Sequence, residues 1–394
     1  MPMSEGFQVF EDACGRRAVL LPFRLDQRIG EWEGLRAAMI RRCPEPFSRE
    51  EWAYLVAFLD AANLRAPLGG AFGLPASQQG GACAAAYRPR GPVAVWLPSN
   101  VSLLGPLVLV LLSLSGNPLR LKAGSQAVDL TAVFLDFARQ HLPAGQLSEY
   151  IGRQVRLEQF GRDDPRNAAM AAEAAVRIVF GSDEAVQAVE ALPHPVGSML
   201  VAFSDHRSVA WIECAAAGDE ALASLIRVFT IYGQAGCTSP SQVVLLAGRP
   251  EDALRTRDRL LDLWPRVVRH DPPAYLASEN VMGCQHAAAL GWQAVLAPRN
   301  AAVLAAGAFD LPPPVGRLTL PIIPATLAAA VENLPANLQT IGHVLEHPED
   351  PAWLRLLAST RAKRFVPLTA MHHFGPVWDG WEFWRQLFEV VPLC

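Results

Sequence analysis

The chain has 394 residues, a formal net charge of −4, 51% hydrophobic and 18% charged side chains. This composition excludes intrinsic disorder. Without any block of Lys or Arg, it also excludes the electrostatic footprint of a nucleic-acid or anionic-membrane binder. The length allows a large core and implies two domains. The cysteines Cys14, Cys43, Cys83, Cys214, Cys237, Cys284 and Cys394 form no C-x-x-C pair, which argues against a disulfide framework or a zinc site, so no metal is expected. The opening Met1-Pro-Met-Ser-Glu5 reads as no signal peptide, and the apolar run Leu107 to Leu112 is too short for a membrane span. A cytoplasmic, reducing environment is the expectation.

In chain order, Ala18 to Pro22 is strand-like, and helical patterns follow at Glu31–Arg41 and Arg49–Ala62, the second capped by Ser48. The stripe Trp52, Leu55, Phe58 and Leu59 reads as core. Gly69 to Ala86 is rich in Gly, Ala and Gln and reads as a loop or hairpin. Pro92 to Asn100 is a strand ending in a turn, Leu103–Leu114 an apolar crossover helix, and Pro118–Lys122 a second strand after the turn Gly116-Asn117. That is a β-α-β unit of a parallel sheet with both faces covered. A helical run, Ala127–His141, follows. Ala175–Phe180 is a buried strand, and Gly181-Ser182-Asp183-Glu184 opens the helix Ala185–Glu190. That start offers unpaired N–H groups to an anion, or is a plain N-cap; the G-x-G-x-x-G fingerprint is missing.

Ala191–Ser198 reads as a linker, with the second half resuming at Met199–Phe203 and Ser208–Ile212. The run from Glu220 to Tyr232 carries Leu222, Leu225, Ile226 and Phe229 on one helical stripe and stops at Gly233. Gln242–Leu246 reads as a buried strand. Between them lies Gly233-Gln-Ala-Gly-Cys237-Thr-Ser-Pro240, a cysteine on a loop between two rigid elements. A nucleophile is held that way, and an inert buried thiol fits the local sequence equally well. A charged helix at Asp252–Trp264, a Pro/Ala-rich stretch, an aromatic turn from Phe374 to Trp381 and a helix at Glu382–Phe388 complete the pattern.

Three stretches together resemble the aldehyde dehydrogenase superfamily, and within it the fatty acyl-CoA reductases of the LuxC type. They are Leu97-Pro-Ser-Asn100 with Gly116-Asn117 and the strand-ending Lys122; Phe180-Gly181-Ser182 at a helix start; and Gly233-Gln234 before Cys237-Thr-Ser-Pro240. Leu338-Gln-Thr-Ile-Gly342 and Trp378-Asp379-Gly380 add the LuxC-type flavour, so the similarity spans roughly residues 90 to 390. The resemblance implies an α/β fold of the aldehyde-dehydrogenase kind. Its parts would be two Rossmann-like parallel-sheet domains and an oligomerisation hairpin. The expected division is a dinucleotide domain over 1–198 with the hairpin near 67–93, a catalytic cysteine domain over 199–375, and a tail over 376–394.

The same resemblance implies roles. Cys237 takes the acyl group from a thioester, Asn100 and the N–H of Cys237 receive the oxyanion, Lys122 holds the adenosine ribose, and Gly181 and Ser182 lie near the cofactor phosphates. In the family a carboxylate three residues after the lysine selects NAD; here Ser125 stands there, which favours NADPH over NADH. The implied acyl donor is acyl-CoA or a carrier-protein-bound acyl group, and the implied assembly a homo-oligomer, dimer or tetramer. Two departures stand out. The family spacing Gly-Gln-x-Cys is longer by one residue, and Phe203-Ser-Asp-His-Arg-Ser208 lacks the glutamate of aldehyde-oxidising members, leaving Asp205, His206 and Glu213 as nearby candidate bases. The expected activity is reduction of an acyl thioester to an aldehyde. An aldehyde dehydrogenase running toward acid, a cysteine acyltransferase or thioesterase without nicotinamide, and a non-catalytic binding subunit are the competing readings.

Overall fold

The computed structural model describes residues 8–11, 17–20, 24–69, 71–72, 84–124, 130–269, 271 and 274–393. The chain divides into two compact units, Met1–Ser204 with Phe374–Cys394, and Asp205–His373. The first begins with β1 (Gln8–Glu11), β2 (Arg17–Leu20) and β3 (Ala84–Pro89). It continues as a parallel sheet of β4 (Val93–Trp96), β5 (Leu119–Ala123), β6 (Val155–Gln159), β7 (Val176–Phe180) and β8 (Met199–Phe203), ordered β6-β5-β4-β7-β8. Every residue of β4 and β7 is buried, as is the helix Leu104–Ser113 that crosses from β4 to β5, from Gly105 onward. A helix apolar all round has to be a core helix, and a sheet so covered is parallel. The chain steps outward from β4 to β5 and β6, then returns to the other side of β4 with β7 and β8. Strand order therefore reverses at β4, and the carboxyl ends of β4 and β7 flank a switch-point crevice.

The strand Met199–Phe203 corrects one expectation. It does not open the second half of the chain; it pairs in parallel with β7, from Val176 opposite Met199 to Phe180 opposite Phe203. The helix Asp183–Glu190 and the turn at Gly197, whose φ is 80°, form its crossover connection, so Ala191–Ser198 is a turn within one sheet.

The second unit is a sheet of seven strands, β9 (Arg207–Glu213), β10 (Pro240–Leu246), β11 (Gln293–Leu296), β12 (Val303–Ala306), β13 (Thr319–Ala325), β14 (Leu338–Val344) and β15 (Arg364–Pro367). Their order is β11-β12-β13-β10-β9-β14-β15, and β11 alone among these pairings runs antiparallel to its neighbour. Alternate residues of β9 feed two cores. Ala210 and Ile212 join Leu222, Leu225, Phe229 and Trp264, whereas Val209 and Trp211 join Leu338, Ile341 and Trp353. Both faces are thus apolar with period two. The stretch read as Pro/Ala-rich contains the helix Ala274–Ala289, whose Ala, Leu, Met, Gln and Glu content favours helix.

The chain then returns to the first unit. The expected helix Glu382–Phe388 shrinks to Phe383–Gln386, and β16 (Phe388–Leu393) follows, its Val390-Val391 core being strand-forming. It pairs antiparallel with β3, while β3 pairs in parallel with β2, giving the order β1-β2-β3-β16. Phe388–Leu393 is therefore a sheet member rather than part of a tail. The hairpin expected near 67–93 lies partly outside the described residues; its described end, Ala84–Pro89, finds its partners in β2 and β16. Asn117 anchors this return from a fully buried position. Its amide donates to Leu387 O at 2.9 Å and its oxygen accepts from Gly91 N at 2.9 Å. The Gly116-Asn117 pair is thus structural.

Gly124, just after β5, packs against the loop after β4. A Cβ there would lie 2.6 Å from Ser99 Cα and 2.8 Å from Pro98 O, and backbone atoms cannot swing aside as the end of a side chain can. Gly124→Ala is expected to destabilise the first unit by about 1–3 kcal/mol, read from its urea midpoint. An unchanged midpoint would show that the two loops do not meet in solution.

Candidate active site

Cys237 lies in the second unit, half-buried, on the connection between the helix Asp219–Thr230 and β10. Two successive left-handed residues, Gly233 at φ 55° and Gln234 at φ 62°, end the helix. Left-handed backbone is unfavourable for glutamine, and side-chain bonds stabilise it here. Gln234 Nε2 donates to Thr319 O at 2.7 Å, and Gln234 Oε1 accepts from Thr319 N at 2.9 Å. The residue that lengthens the Gly-Gln-x-Cys spacing is taken up in tight turns, Ala235 N donating to Tyr232 O and Ser239 N to Gly236 O. Gly236 has no room for a side chain, since its Cβ would come 2.8 Å from the Tyr232 ring.

Past the turns, Ser208 Oγ donates to Cys237 O at 2.7 Å, and Ser241 Oγ donates to Ser208 O at 2.8 Å. Thr238 Oγ1 and His372 Nδ1 are 2.7 Å apart, and His372 Nε2 is 2.7 Å from Val228 O. Burial pushes the His372 pKa down to about 4, so the ring is neutral at pH 7. Burial also pushes the thiols of Cys43, Cys214 and Cys284 upward, with Asp252 adding to the effect at Cys214. Thiols so shifted hold less thiolate, the nucleophilic form.

Two candidate bases separate by position. Glu213 ends β9, where it pairs with Leu246, while Ser208 near the start of β9 pairs with Pro240. Glu213 is thus at the opposite end of the sheet from Cys237, about 17 Å along the strands, and its carboxylate accepts from Glu346 N at 2.6 Å. It is structural. His206 precedes β9 at the Cys237 end of the sheet, where its Nε2 lies 2.8 Å from Lys363 Nζ. An ammonium can only donate, so this nitrogen accepts.

The remaining expected residues belong to the first unit. Asn100 is exposed on the loop after β4, Lys122 is in β5, and Gly181-Ser182 follow β7, all at the carboxyl ends of adjacent strands. Lys122 sits level with Trp96, and Leu97 N donates to Lys122 O at 2.9 Å. Its amino group is buried 5.4 Å above the Phe160 ring and meets Ala123 O at 3.5 Å. Desolvation, then the charge of Arg162, lower its pKa. Glu158, opposite Lys122 in register, is taken by Arg120 at 2.8 Å. Among the described residues Lys122 has no carboxylate partner. A buried, uncompensated cation at a switch-point crevice fits an anionic nucleotide. Ser182 already caps its helix, accepting from Ala185 N at 3.4 Å, and its side chain bonds Glu184, which lowers that carboxyl's pKa. Ser125 lies outside the described residues. Among the described residues no three His, Cys, Asp or Glu side chains gather as metal ligands, and no helix is long and apolar enough to cross a membrane.

Ser208, Gln234 and His372 were not singled out from the sequence as contacts of the cysteine loop. The adjacency of Gln234 to Gly233 was the one usable signal; a histidine 134 positions from Thr238 gives none.

The family model of the acyl-CoA reductase (LuxC) matches residues 61–389. Among solved structures, an aldehyde dehydrogenase from Bartonella henselae is similar at 14% identity, covering 94% of this chain and 87% of that one, with a TM-score of 0.61. An oxidoreductase from Marinobacter aquaeolei is similar at 13% identity over 94% and 86%, TM-score 0.63. A betaine aldehyde dehydrogenase from Staphylococcus aureus is similar at 10% identity over 94% and 83%, TM-score 0.63. These likenesses show the fold, which is that of the aldehyde dehydrogenases. No curated protein sequence matches the chain.

The buried His372 gives an acid-side signature. Its folded pKa of about 4 lies below the ordinary 6.5, so the unfolded chain takes up the proton first as pH falls. The stability it contributes is present above pH 6.5 and is lost on falling toward pH 4. Between pH 7 and pH 5 this linkage costs about 2 kcal/mol. His343 and His373, also lowered by burial, act in the same direction. Denaturant unfolding of His372→Asn should show a smaller loss of stability over that range than the unsubstituted chain. Equal losses would show that His372 is not held neutral.

Proposed function

The chain belongs to the acyl-CoA reductase (LuxC) family, and on that premise we propose that it reduces an acyl thioester to an aldehyde with NADPH, through an acyl group carried on Cys237. What supports this reading most is the cysteine loop, whose backbone is hydrogen-bonded before and after Cys237, Ala235 N to Tyr232 O and Ser208 Oγ to Cys237 O. A fixed half-buried sulfur meets the geometric need of a nucleophile.

The first step is thiol exchange. The Cys237 thiol gives up its proton, its sulfur bonds the carbonyl carbon, and the carbon–sulfur bond of the donor breaks. The departing thiolate, of coenzyme A or a carrier arm, takes up a proton. Negative charge on the carbonyl oxygen is received by the Asn100 amide and the Cys237 N–H; losing one such donor typically costs about 10²–10³-fold in turnover. When bound, a reduced nicotinamide would supply a hydride, the two electrons that separate an acyl thioester from an aldehyde; the bond from the carbonyl carbon to the Cys237 sulfur then breaks, the aldehyde leaves and the sulfur takes up a proton. Lys122 is assigned to the adenosine ribose, with Gly181 and Ser182 beside the phosphates. NADPH is favoured because Ser125 puts no carboxylate against a 2′-phosphate and because Lys122 and Arg162 bring positive charge to the same strand ends. The resemblance also carries a homo-oligomeric state and a cytoplasmic location into this proposal.

Direction follows from the base. Hydrolysis of the acyl-enzyme needs an activated water. The stretch Phe203 to Ser208 has no glutamate, and the His206 nitrogen that accepts from Lys363 is engaged. The thioester is thus protected from water long enough to be reduced.

The test is nicotinamide absorbance with a long-chain acyl-CoA. Oxidation of NADPH with release of free thiol and aldehyde is expected, with higher kcat/KM than for NADH. Absence of thiol-coupled oxidation would overturn the activity, and equal or better use of NADH would overturn the cofactor assignment. In reverse, aldehyde and NADP⁺ should react only with a thiol acceptor; fast formation of free acid without one would restore the oxidising dehydrogenase reading.

A further inference from the structure

We propose that His372 is a positioning residue for the nucleophile, holding the peptide after Cys237 through the Thr238 hydroxyl. The inference rests on the reading of Cys237 as the acyl carrier. Proton logic fixes the bond directions. The carbonyl of Val228 only accepts, so His372 Nε2 carries the hydrogen and donates to it at 2.7 Å. In the neutral ring Nδ1 is then an acceptor, and the Thr238 hydroxyl donates to it at 2.7 Å. Thr238 Oγ1–H, His372 and the helix carbonyl of Val228 thus form one directed chain, with the Tyr232 ring edge-on to the imidazole at 4.6 Å.

The anchor behind His372 is equally specific. Arg364, in β15, donates to the carbonyls of Ala370 at 3.3 Å, Met371 at 3.1 Å and His373 at 2.9 Å, which fixes the backbone on both sides of His372. Gly342 of β14 leaves the space for Met371, since a Cβ there would meet Met371 Sδ at 2.2 Å. Rigidity therefore passes from β14 and β15 through His372 to Thr238. On its other side the cysteine peptide is held by Ser208 at the Cys237 carbonyl. The peptide that follows Cys237 is thus held at its carbonyl and at the Thr238 side chain, which restricts the backbone that carries the sulfur. A misplacement of about 1 Å in such a group can cost about 10²-fold in rate.

The two amides that imitate one imidazole nitrogen each separate positioning from bulk. The His372→Asn amide reaches the Nδ1 place and can accept from Thr238; the His372→Gln amide reaches the Nε2 place and keeps only Val228. Thr238→Val removes the hydroxyl at nearly constant shape. Thr238→Val and His372→Gln should each lower kcat about 10–100-fold with little change in nicotinamide KM, and His372→Asn should stay within about 5-fold. Combining Thr238→Val with His372→Gln should be no worse than the poorer single change. The same order should appear in the rate at which iodoacetamide alkylates Cys237, followed on its tryptic peptide. That readout needs no acyl chemistry, so it stands even if the acyl group is found on another cysteine, a result that would sink the proposed function alone. Equal impairment of His372→Asn and His372→Gln would reduce His372 to packing. Alkylation and turnover within about 3-fold of the unsubstituted chain in Thr238→Val would overturn the proposal.

Discussion

Gln234 holds both backbone groups of Thr319, donating at 2.7 Å and accepting at 2.9 Å. The arrangement of the second unit's site depends on this clamp. Thr319 is buried at the start of β13, and losing the partner of a buried backbone group costs about 1–3 kcal/mol; both of its groups rely on one side chain. The clamp stabilises the left-handed turn at Gly233-Gln234, and the turn sets where the chain enters the cysteine loop. Ser208, Thr238 and His372 then fix where it leaves. The loop is short, yet three of its residues are bound to two different strands and to the segment after β15. A nucleophile on such a loop has little orientational freedom to lose on reaction.

The first unit solves a different problem. Its parallel sheet is buried on both faces, so polar chemistry is displaced to the strand ends, where loops meet water. Lys122 marks that edge. It is a desolvated cation whose strand-register neighbour, Glu158, is committed to Arg120. Gly124 lets the loops after β4 and β5 touch at backbone distance. Against this positive feature stand Asp183 and Glu184 in the first turn of the helix after β7, both exposed. Their charges satisfy the helix dipole by themselves. An anionic ligand there would meet Lys122 and Arg162 on one side and these carboxylates on the other, so the charges favour the β5–β6 side of the crevice and the assignment of Gly181 and Ser182 to the phosphates rests on the resemblance alone.

Much of this was legible in the sequence, for definite physical reasons. Val93–Trp96 and the crossover helix carry continuous apolar runs, and Leu119–Ala123 alternates apolar with charged residues, with turn residues between them, so type and order followed from local pattern. The helix before Cys237 and the strand after it were legible from a 3.6-residue stripe and an apolar run. Met199–Phe203 was delimited as a segment but given to the second half, since pairing is a property of the crossover rather than of the strand. The helix expected over Glu382–Phe388 ends at Gln386, and the strand Phe388–Leu393 was not read because it is six residues long and follows a true helical turn. His372 was invisible. Nothing within its neighbourhood repeats or alternates, and its partners Thr238 and Val228 are brought to it by the sheet. Glu213 shows the converse: near in sequence to the right stretch, it ends at the far edge of the sheet.

Cys237 is proposed to carry the acyl group. The most direct measurement is peptide mass analysis after the protein is incubated with acyl-CoA in the absence of nicotinamide, followed by mild digestion at low pH. The acyl mass is expected on the peptide containing Cys237, with release of one free thiol per label. Acyl mass on a peptide of Cys14, Cys43, Cys83, Cys214, Cys284 or Cys394 instead, or on none, would contradict it.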